Sequence, residues 1–572
     1  MYHAPIDDMK LLLFDVVETD FARKDLDPDT CSAILEEAAK LARDVIGPLN
    51  TIGDAQGCKL DKGQVSTPQG FRQAYAQYRD NGWNSVPFSS EAGGQDLPWS
   101  LTFAIQEMWQ SANMSFGLCP MLNQSAVEAL EIHGSSEQKA LYLEKMVSGH
   151  WTGTMNLTEP QAGSDLSELK TMAVRQEDGS YKITGQKIYI TYGEHDLADN
   201  IIHMILARTP EAPEGTKGIS LFLVPKFIPD EKGNPGKQND LVCTGIEHKL
   251  GIHGSPTCTM QFGDKGGATG WLVGGEFEGL KLMFTMMNNA RLAVGLQGVA
   301  LSERALQKAK AYAEERIQGR PVTGESHKIP ISKHPDVGRM LNEMEALTLT
   351  GRALTYYSAS LMDKARNGDK KAAEYVDLLT PVTKAWCTDN ALKVTSDTIQ
   401  VHGGMGFIEE TGVAQYYRDA RILPIYEGTN GIQANDFVFR KILRDKGETA
   451  QAFINENIRF FKDHKANLQD IEAEIQEALT DISRATEHVL NMGENDRIED
   501  IAWLARPYLQ FFGLVTGAIM AGRIYEALSK PQCSVQDQKF IESRKQLCLY
   551  YIKNILPETK GQLARITQKT PV

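Results

Sequence analysis

The feature that most constrains this 572-residue chain is a change of hydrophobic period that occurs twice along it. Apolar residues follow helical spacing through residues 1–150, alternate in short segments over 152–280, and return to helical spacing after 281. A spacing near 3.6 residues predicts amphipathic helices, whereas alternation predicts strands with one buried face. The chain is also too long for one hydrophobic core. We therefore expect several domains in the order α, β, α, with more helices at the end.

The first and third blocks carry clear helix signals. In CSAILEEAAKLARDVIGPLN (31–50), apolar residues recur at helical spacing until Pro48, which cannot continue a helix. Three long stretches after residue 281 have the same character, namely 290–319, 334–368 and 372–404. Each of them ends at a glycine, as helices commonly do. These stretches are typical of a helical bundle.

The block 152–280 has the character of a compact β domain. YKITGQKIYIT (181–191) alternates apolar and polar residues around a Gly-Gln pair, which favours a hairpin. NIIHMILAR, ISLFLVPKF and TCTMQFG are further short strands, separated by turns rich in glycine, proline and asparagine. Several short strands with such turns predict a β-barrel or a β-sandwich.

Charge and cysteine usage exclude several classes of function. The net charge of −14 argues against a nucleic-acid-binding surface, because phosphate neutralisation needs clustered Lys and Arg. The eight cysteines are scattered, without a CxxC motif or a Cys/His cluster. This usage is typical of a reducing compartment and predicts no metal site.

The sequence also bears on location. The opening residues 1–21 carry early acids and lack a basic start followed by an apolar core, so we expect no secretory signal. The apolar stretch LQFFGLVTGAIMAG (509–522) is shorter than the roughly 20 residues of a membrane span, and its small residues favour close helix packing. We therefore predict a cytoplasmic protein without an integral membrane segment.

Three motifs carry candidate chemistry: TEPQAGSD (158–165), IQVHGGMGF (399–407) and RILPIYEGTNGIQ (421–433). Taken alone, each of the first two is most simply a tight turn. The third places Glu427 between an apolar run and a glycine-containing turn. That acid is either a helix-start residue, stabilised by about 0.3–1 kcal/mol through the helix dipole, or a base held away from water.

Together and in this order, the motifs make the chain resemble the acyl-CoA dehydrogenase family over most of residues 30–445. Further matches are GQKIYIT, KLGIHGSPT, NNAR and EERIQGR (185–191, 249–257, 288–291 and 314–320). The family fold is an α-helical N-terminal domain, a middle β-barrel and a C-terminal four-helix bundle. The segment after 445 and the opening YHAPIDDM resemble a longer subgroup that includes 3-methylmercaptopropionyl-CoA dehydrogenases and broad-range fatty acyl-CoA dehydrogenases.

The resemblance implies a mainly α protein with a central β-barrel. The expected domains are an N-terminal helical domain, a β-barrel, a four-helix bundle and an additional helical domain, over residues 1–155, 156–280, 281–447 and 448–572. For the last domain two interpretations stand. It either fills the space that a second dimer occupies in tetrameric relatives, or it forms a platform for a membrane or a partner.

The resemblance further implies FAD, bound between barrel and bundle in a homodimer. The residues implied to contact FAD are Leu157, Thr158, Gly163, Ser164, Tyr189, Ile190, Thr191, Arg316, Gln400, Gly403, Gly404 and Thr429. Those that match positions reaching the ADP part from the neighbouring subunit are Arg316, Gln400, Gly403 and Gly404. The residues implied to bind substrate are Ser164, Asn288, Arg291 and Gly428. Asn288 stands where many members of the family have aspartate.

The implied activity is α,β-dehydrogenation of an acyl-CoA to the trans-2-enoyl-CoA, with Glu427 as the base and electrons passed to an electron-transfer flavoprotein. A carboxylate with a pKa near about 4.3 is a weak base. Burial disfavours its charge and raises the pKa, which explains the apolar neighbours of Glu427. Two rival hypotheses are an acyl-CoA oxidase and a non-catalytic relative that binds nucleic acid or scaffolds a complex.

Overall fold

A computed structural model describes residues 1–17, 19, 26–324 and 326–568. The remaining positions, which include part of the opening stretch, lie outside the described residues. The chain divides into two compact units. The first contains Lys40–Leu97 and Ala112–Ala290, and the second contains Tyr2–Ala39, Pro98–Ser111 and Arg291–Val572.

The N-terminal part is helical, as its apolar spacing predicts. Its α-helices are α1 (Ile6–Lys10), α2 (Pro28–Leu41), α3 (Leu49–Gln56), α4 (Phe71–Asp80), α5 (Trp99–Ala112), α6 (Met114–His133), α7 (Ser136–Gln138) and α8 (Glu144–Val147). The start of α6 shows how the sequence sets a boundary. Asn113 is its N-cap, and its side chain accepts a hydrogen bond from the Phe116 N–H at 3.1 Å.

The strands follow mainly between residues 151 and 273. They are β1 (Lys59–Asp61), β2 (Gln64–Ser66), β3 (Trp151–Asn156), β4 (Met172–Arg175), β5 (Tyr181–Thr191), β6 (Asn200–Arg208), β7 (Ile219–Pro225), β8 (Phe227–Pro229), β9 (Pro235–Gln238), β10 (Leu241–Ile246), β11 (Thr257–Phe262) and β12 (Ala268–Val273). β5, β12, β7, β6 and β4 pair in turn, and β4 pairs back to β5. This closed circuit confirms the β-barrel, whose interior is filled by side chains such as Ile183, Phe222 and Phe262.

The hairpin expected at the Gly-Gln pair is wrong. β5 runs without interruption from Tyr181 to Thr191, pairing with β4 and β12 through its first half and with β11 through its second. Gly185 has φ +153°, and a Cβ there would lie 2.9 Å from the Thr171 Cα. The glycine therefore serves close backbone approach within a strand that changes partners, rather than a turn.

The second unit contains the remaining α-helices, several of which are long. They are α9 (Gly279–Glu315), which enters this unit at Arg291, α10 (Pro335–Arg366), α11 (Lys370–His402), α12 (Ala414–Ala420), α13 (Asn430–Asn435), α14 (Glu448–Asp463), α15 (Glu472–Glu494), α16 (Ile498–Ala527), α17 (Gln538–Tyr550) and α18 (Glu558–Thr567). Several helices continue into π-helical turns, at Leu11–Val16, Ala42–Ile46, Lys139–Leu143, Asp436–Ile442 and Tyr551–Ile555.

A buried ionic cluster joins three helices of this unit. Arg352 of α10 donates from Nε to Glu107 of α5 at 2.8 Å and from Nη2 to Glu303 of α9 at 2.6 Å. Tyr356 donates its hydroxyl hydrogen to Glu107 at 2.7 Å. Arg352 and Glu107 are fully buried. Burial raises the pKa of the Glu107 carboxyl even beside the guanidinium, so the cluster depends on its single cation.

The apolar stretch 509–522 is the middle of α16, and almost all of it is buried. Its small residues have the packing role that the sequence predicts. A Cβ added at Gly513 would lie 2.5 Å from the Cδ1 of Trp386 on α11, and one at Gly517 would lie 2.9 Å from the same indole. The two glycines therefore let α16 approach α11 across the Trp386 ring.

Gly513→Ala is expected to lower the free energy of unfolding by about 1–3 kcal/mol, because an overpacked contact against a buried ring cannot relax freely. Gly561→Ala is the control, since a Cβ on that helical glycine meets nothing within 4 Å. It should be neutral or stabilising by up to about 1 kcal/mol. Chemical denaturation of both variants measures the difference, and equal stabilities would contradict the packing role.

Both ends of the chain contribute to this second unit. Asp8 of α1 accepts hydrogen bonds from Arg544 of α17 at 2.6 and 2.8 Å. Asp15 accepts from the Ser534 N–H at 3.1 Å. The first helical segment is thereby fastened to the C-terminal helices. Within the described ranges, no helix combines the length and the apolar content that crossing a bilayer requires.

Candidate active site

Glu427 lies in an irregular turn between α12 and α13. Its backbone is left-handed, with φ +55°, and Gly428 follows with φ +81°. A non-glycine residue in this region costs about 1–3 kcal/mol and persists only when its surroundings fix it. The Asn430 N–H closes the turn by donating to the Pro424 carbonyl at 2.9 Å. Such strain at a carboxylate is typical of a functional position.

Two side chains hold the backbone of this turn. The buried Lys384 of α11 donates from Nζ to the Gly428 carbonyl and to Asn430 Oδ1, each at 2.9 Å. Gln433 of α13 donates from Nε2 to the Glu427 carbonyl at 3.0 Å. The backbone carbonyls of Glu427 and Gly428 therefore both accept hydrogen bonds from side chains. These bonds fix the backbone of the turn, which orients the Glu427 side chain.

The electrostatics of the turn favour a carboxyl group that titrates near neutrality. Burial raises the pKa of Glu427 from its ordinary 4.5 to about 7, against the opposing attraction of Arg291 and Lys384. Burial likewise lowers the pKa of Lys384 to about 7, against the attraction of Glu427. Arg291 is buried and pairs with Asp436 at 3.6 Å. The arrangement suits a general base, because its pKa lies near the operating pH.

The neighbours of Glu427 differ in part from those expected. Ile425 is 46% exposed, so it does not bury the carboxyl within the chain itself. Tyr426 instead turns inward and donates its hydroxyl hydrogen to Gln297 of α9. Thr429 is the N-cap of α13, where its hydroxyl accepts from the Ile432 N–H at 3.2 Å. Gly428 lies beside Arg291, since an added Cβ would be 3.8 Å from Arg291 Nη2.

A second group of predicted residues lies at the C-terminal ends of α9 and α11. Arg316 follows α9, and Gln400, Gly403 and Gly404 are at the end of α11; all four are exposed. The two helix ends are joined by Tyr312 and His402, whose rings stack at 4.3 Å. A Cβ added at Gly403 or Gly404 would meet nothing within 4 Å. The surface around them is open.

In the first unit, the predicted loop follows β3 directly. Leu157 and Thr158 are half-buried, whereas Gly163 and Ser164 are exposed. Glu159 and Ala162 exchange two backbone hydrogen bonds of 3.0 Å, which close a tight turn before the exposed pair. A Cβ on Gly163 would meet nothing within 4 Å, so a ligand can approach the backbone there.

A buried ion pair supports this loop. Lys187 of β5 donates from Nζ to Glu159 at 2.8 Å and to the Leu157 carbonyl at 2.9 Å. Glu159 also accepts from the Thr171 hydroxyl at 2.5 Å. Burial lowers the pKa of the Lys187 ammonium to about 8, while the Glu159 carboxylate opposes that shift. The loop is thus anchored in the barrel near Leu157 and Glu159 and is exposed to solvent at Gly163 and Ser164.

Tyr189 owes its exposure to a β-bulge. Cys258 of β11 pairs with Ile190, whereas Met260 pairs with Lys187, so two residues of β5 oppose one of β11. At this bulge Tyr189 has φ +59° and remains 59% exposed. Ile190 points into the barrel core, so only its backbone is available to a ligand. Thr191 is half-buried. The exposed ring can cover a planar ligand.

Of the predicted substrate-binding residues, Asn288 belongs to the first unit and is half-buried on α9. Its neighbour Asn289 is buried and donates to Glu128 at 2.6 Å. Arg291 and Gly428 lie together beside Glu427 in the second unit. Ser164 is on the exposed loop of the first unit.

The sequence reasoning missed Lys384, Lys187 and Gln433. A signal was present for two of them. Lys384 is the lone charged residue in the helical stretch 378–388. The stretch therefore has no charged face that would carry Lys384 into solvent. Lys187 shares the alternation of Tyr181 and Ile183, whose side chains face inward. Gln433 carried no signal, because its role depends on the turn that it holds.

The family models match four segments of the chain. They are the N-terminal, middle and C-terminal domains of acyl-CoA dehydrogenase and an acetyl-CoA dehydrogenase C-terminal-like domain, over residues 28–150, 154–265, 278–441 and 448–571. The chain is 44% identical to a 3-methylmercaptopropionyl-CoA dehydrogenase of Ruegeria pomeroyi, over 99% of this chain and 98% of that protein.

Two other proteins extend the comparison. A broad-specificity linear acyl-CoA dehydrogenase of Mycobacterium tuberculosis is 36% identical, over 84% of this chain and 82% of that protein. The crystal structure of an acyl-CoA dehydrogenase of Bacillus anthracis complexed with FAD shares the fold, with a TM-score of 0.70 and 19% identity over 98% of this chain and 96% of that one. The matched segments and the 44% identity along the whole chain establish that it belongs to the acyl-CoA dehydrogenase family.

Proposed function

We propose that this enzyme converts an acyl-CoA thioester to the trans-2-enoyl-CoA, with Glu427 as the base. The observation that carries the proposal is the Glu427 carboxyl on a strained turn, with a pKa that burial raises to about 7. An ornamental acid at a helix start would be exposed and would keep an ordinary pKa. The enzyme class follows from the family, whereas the role of Glu427 is our assignment.

The protein's part in the reaction is to remove a proton. The α-carbon of a thioester is very weakly acidic, so its C–H bond breaks only if a basic group is already in place. The Glu427 carboxylate takes this proton and becomes the neutral acid. Arg291 and Lys384 keep a useful fraction of Glu427 ionised despite its burial. A backbone N–H of the same turn would polarise the thioester carbonyl.

The cofactor that suits these residues is FAD, which when bound supplies the acceptor for the hydride leaving the β-carbon. In the first unit the exposed Tyr189 ring and the loop at Leu157, Thr158, Gly163 and Ser164 would hold its isoalloxazine, with the backbone of Ile190 and Thr191. In the second unit Thr429 would contribute. The residues that would hold the ADP part are Arg316, Gln400, Gly403 and Gly404.

For the substrate we propose 3-methylthiopropionyl-CoA first and a linear fatty acyl-CoA second, with Ser164, Asn288, Arg291 and Gly428 as binding residues. The full-length identity to the Ruegeria protein supports this order. Anaerobic bleaching of the flavin by 3-methylthiopropionyl-, butanoyl- and hexadecanoyl-CoA tests it. If none of the three bleaches the flavin, the proposed reaction is wrong. Fastest bleaching by hexadecanoyl-CoA would reverse the order of substrates.

We propose an electron-transfer flavoprotein as the electron acceptor. The rival is an acyl-CoA oxidase, in which oxygen takes the electrons. Turnover in air separates the two, because an oxidase releases one hydrogen peroxide for each substrate consumed. A dehydrogenase instead turns over only when an electron-transfer flavoprotein or an artificial acceptor is added.

We further propose a cytoplasmic homodimer. All eight cysteines are free thiols, as expected in a reducing compartment. Phe407, next to the exposed glycines 403 and 404, is 84% exposed, and an apolar side chain so uncovered favours a partner. Sedimentation of the FAD-loaded protein tests the dimer, and a monomer at micromolar concentration would contradict it. Cell fractionation tests the location.

The rate of flavin reduction should depend on pH through Glu427. Its pKa is raised to about 7, so the carboxylate is the minor form below that pH and the rate should fall about tenfold per pH unit there. Above pH 7 the rate should level off. Stopped-flow reduction between pH 5.5 and 9 measures the profile. A rate unchanged down to pH 5.5 would show that the base has an ordinary pKa.

A further inference from the structure

The hydrogen bonds around Glu427 continue beyond the turn. Asn430 accepts from Lys384 through Oδ1 at 2.9 Å, and its Nδ2 donates to Asp389 Oδ1 at 2.8 Å. That same amide nitrogen lies 3.0 Å from the Thr388 hydroxyl. Lys384 and Asp389 lie on α11, so Asn430 fixes the start of α13 to the middle of α11. Asn430 and Lys384 are both buried, and their geometry is therefore well constrained.

Asp389 has a second partner, and that partner comes from the C-terminal helices. Its Oδ2 accepts from Nη2 of Arg506, near the start of α16. The two carboxylate oxygens of Asp389 thus join Asn430 on one side and Arg506 on the other. All of these residues belong to the second unit. A continuous series of hydrogen bonds leads from α16 to the carbonyl of Gly428, the residue that follows Glu427.

We infer that Arg506 of the C-terminal extension is a positioning residue for Glu427, acting through Asp389, Asn430 and Lys384. The inference rests on the proposed role of Glu427 as the base. It gives the extension a part in the reaction in addition to its packing against the bundle through Trp386. The extension holds the base in place and does not itself contact the reacting atoms.

The charged groups along the series alternate in sign. Removal of Arg506 at its end should therefore change the pKa of Lys384. The groups that act on Lys384 are Glu427 and Asp389, which favour its charged form, and Arg291 and Arg506, which disfavour it. Without Arg506, Asp389 would act on Lys384 uncompensated and raise its pKa. A more fully charged Lys384 would lower the pKa of Glu427, because the ammonium favours the carboxylate.

Loss of Arg506 should also loosen the turn. Asp389 is about one third exposed, and Arg506 is the partner that fixes its second oxygen. A carboxylate free to rotate holds the Asn430 amide less well, and Asn430 in turn holds Lys384. The left-handed backbone at Glu427 depends on such support, since it is strained on its own. By contrast, an exposed ion pair without further partners contributes little to stability.

The test compares Arg506→Met with Arg497→Met in the full-length, FAD-loaded enzyme. Arg497 is the control because it precedes the same helix and pairs at 2.7 Å with Asp500, whose side chain is about one third exposed, like that of Asp389. Hydrogen exchange of the segment 424–433 is measured by mass spectrometry, without substrate. Arg506→Met should raise its exchange rate severalfold, whereas Arg497→Met and the conservative Arg506→Lys should leave it near that of the unmodified protein.

The second readout is the pH profile of flavin reduction by 3-methylthiopropionyl-CoA and butanoyl-CoA. Arg506→Met should lower the plateau rate severalfold and move the inflection to lower pH. Asp389→Asn keeps the shape of the side chain but removes its charge, and it should raise exchange in the same segment. Equal exchange and equal profiles in Arg506→Met and Arg497→Met would overturn the inference.

The two proposals fail separately. If Glu427 is not the base, Glu427→Gln will still be reduced by substrate, whatever the exchange data show. If Arg506 does not position the turn, exchange of the segment 424–433 will be unchanged in Arg506→Met and in Asp389→Asn, even though Glu427→Gln is inactive.

Discussion

Glu427→Gln is expected to give a folded, yellow protein whose flavin is reduced by acyl-CoA at least about 10³-fold more slowly, in line with the loss of a general base. Glutamine keeps the size of the side chain and its left-handed turn, so Lys384 and Gln433 can still hold the flanking carbonyls. It cannot accept the α-proton. Anaerobic stopped-flow spectroscopy measures the rate, and the flavin absorbance before mixing reports cofactor content.

Glu410→Gln is the matched control for this variant. Glu410 is exposed in the turn Glu409–Thr411, in the same stretch between α11 and α13. It should be reduced at the rate of the unmodified enzyme. Reduction of Glu427→Gln within tenfold of that rate would remove Glu427 from its assigned role. Loss of the flavin absorbance in Glu427→Gln alone would point instead to a role in cofactor binding.

The second large effect concerns stability. Arg352→Met should lower the free energy of unfolding by about 3–5 kcal/mol, which is the usual cost of removing one partner of a buried ionic cluster. The variant leaves Glu107 and Glu303 without the guanidinium that both contact. Two buried acids then either repel each other or must take up protons. Chemical denaturation with a spectroscopic probe of the helices measures the loss.

Arg339→Met tests whether any arginine of α10 would do the same. Arg339 is half exposed and pairs with Asp336 at 2.9 Å and with Glu343 at 3.2 Å. Because the guanidinium is open to solvent, these pairs should contribute only about 0–1 kcal/mol. The two variants should therefore differ by several kcal/mol. A similar, small loss in both would mean that the cluster is already neutralised by protons.

The order of helical and stranded segments could be predicted from the sequence because it depends on local periodicity. Helical spacing and alternation are properties of short segments, and the structure has helices, a barrel and helices where they change. The error at Gly185 has a different origin. A glycine flanked by alternating residues fits either a turn or a strand, and only the approach of Thr171 decides between them.

The candidate site was predictable to the extent that single residues carry the chemistry. Glu427 stands out because an acid beside apolar residues is unusual. The exposure of Tyr189 was not predictable, since it depends on a bulge that pairing with β11 creates. The role of Arg506 was also not predictable from the sequence. Arg506 lies far along the chain from Glu427, and their connection passes through three other side chains.

The bond between Asp8 and Arg544 has a consequence for how the protein is made. The two residues are 536 positions apart. At translation rates of about 5–20 residues per second, Arg544 leaves the ribosome roughly half a minute to two minutes after Asp8. Throughout that interval Asp8 lacks its partner on α17, and the apolar turn Leu11–Val16 lacks its contacts with α16. The second unit must therefore finish folding after synthesis, and until then its N-terminal segment is a natural target for chaperones.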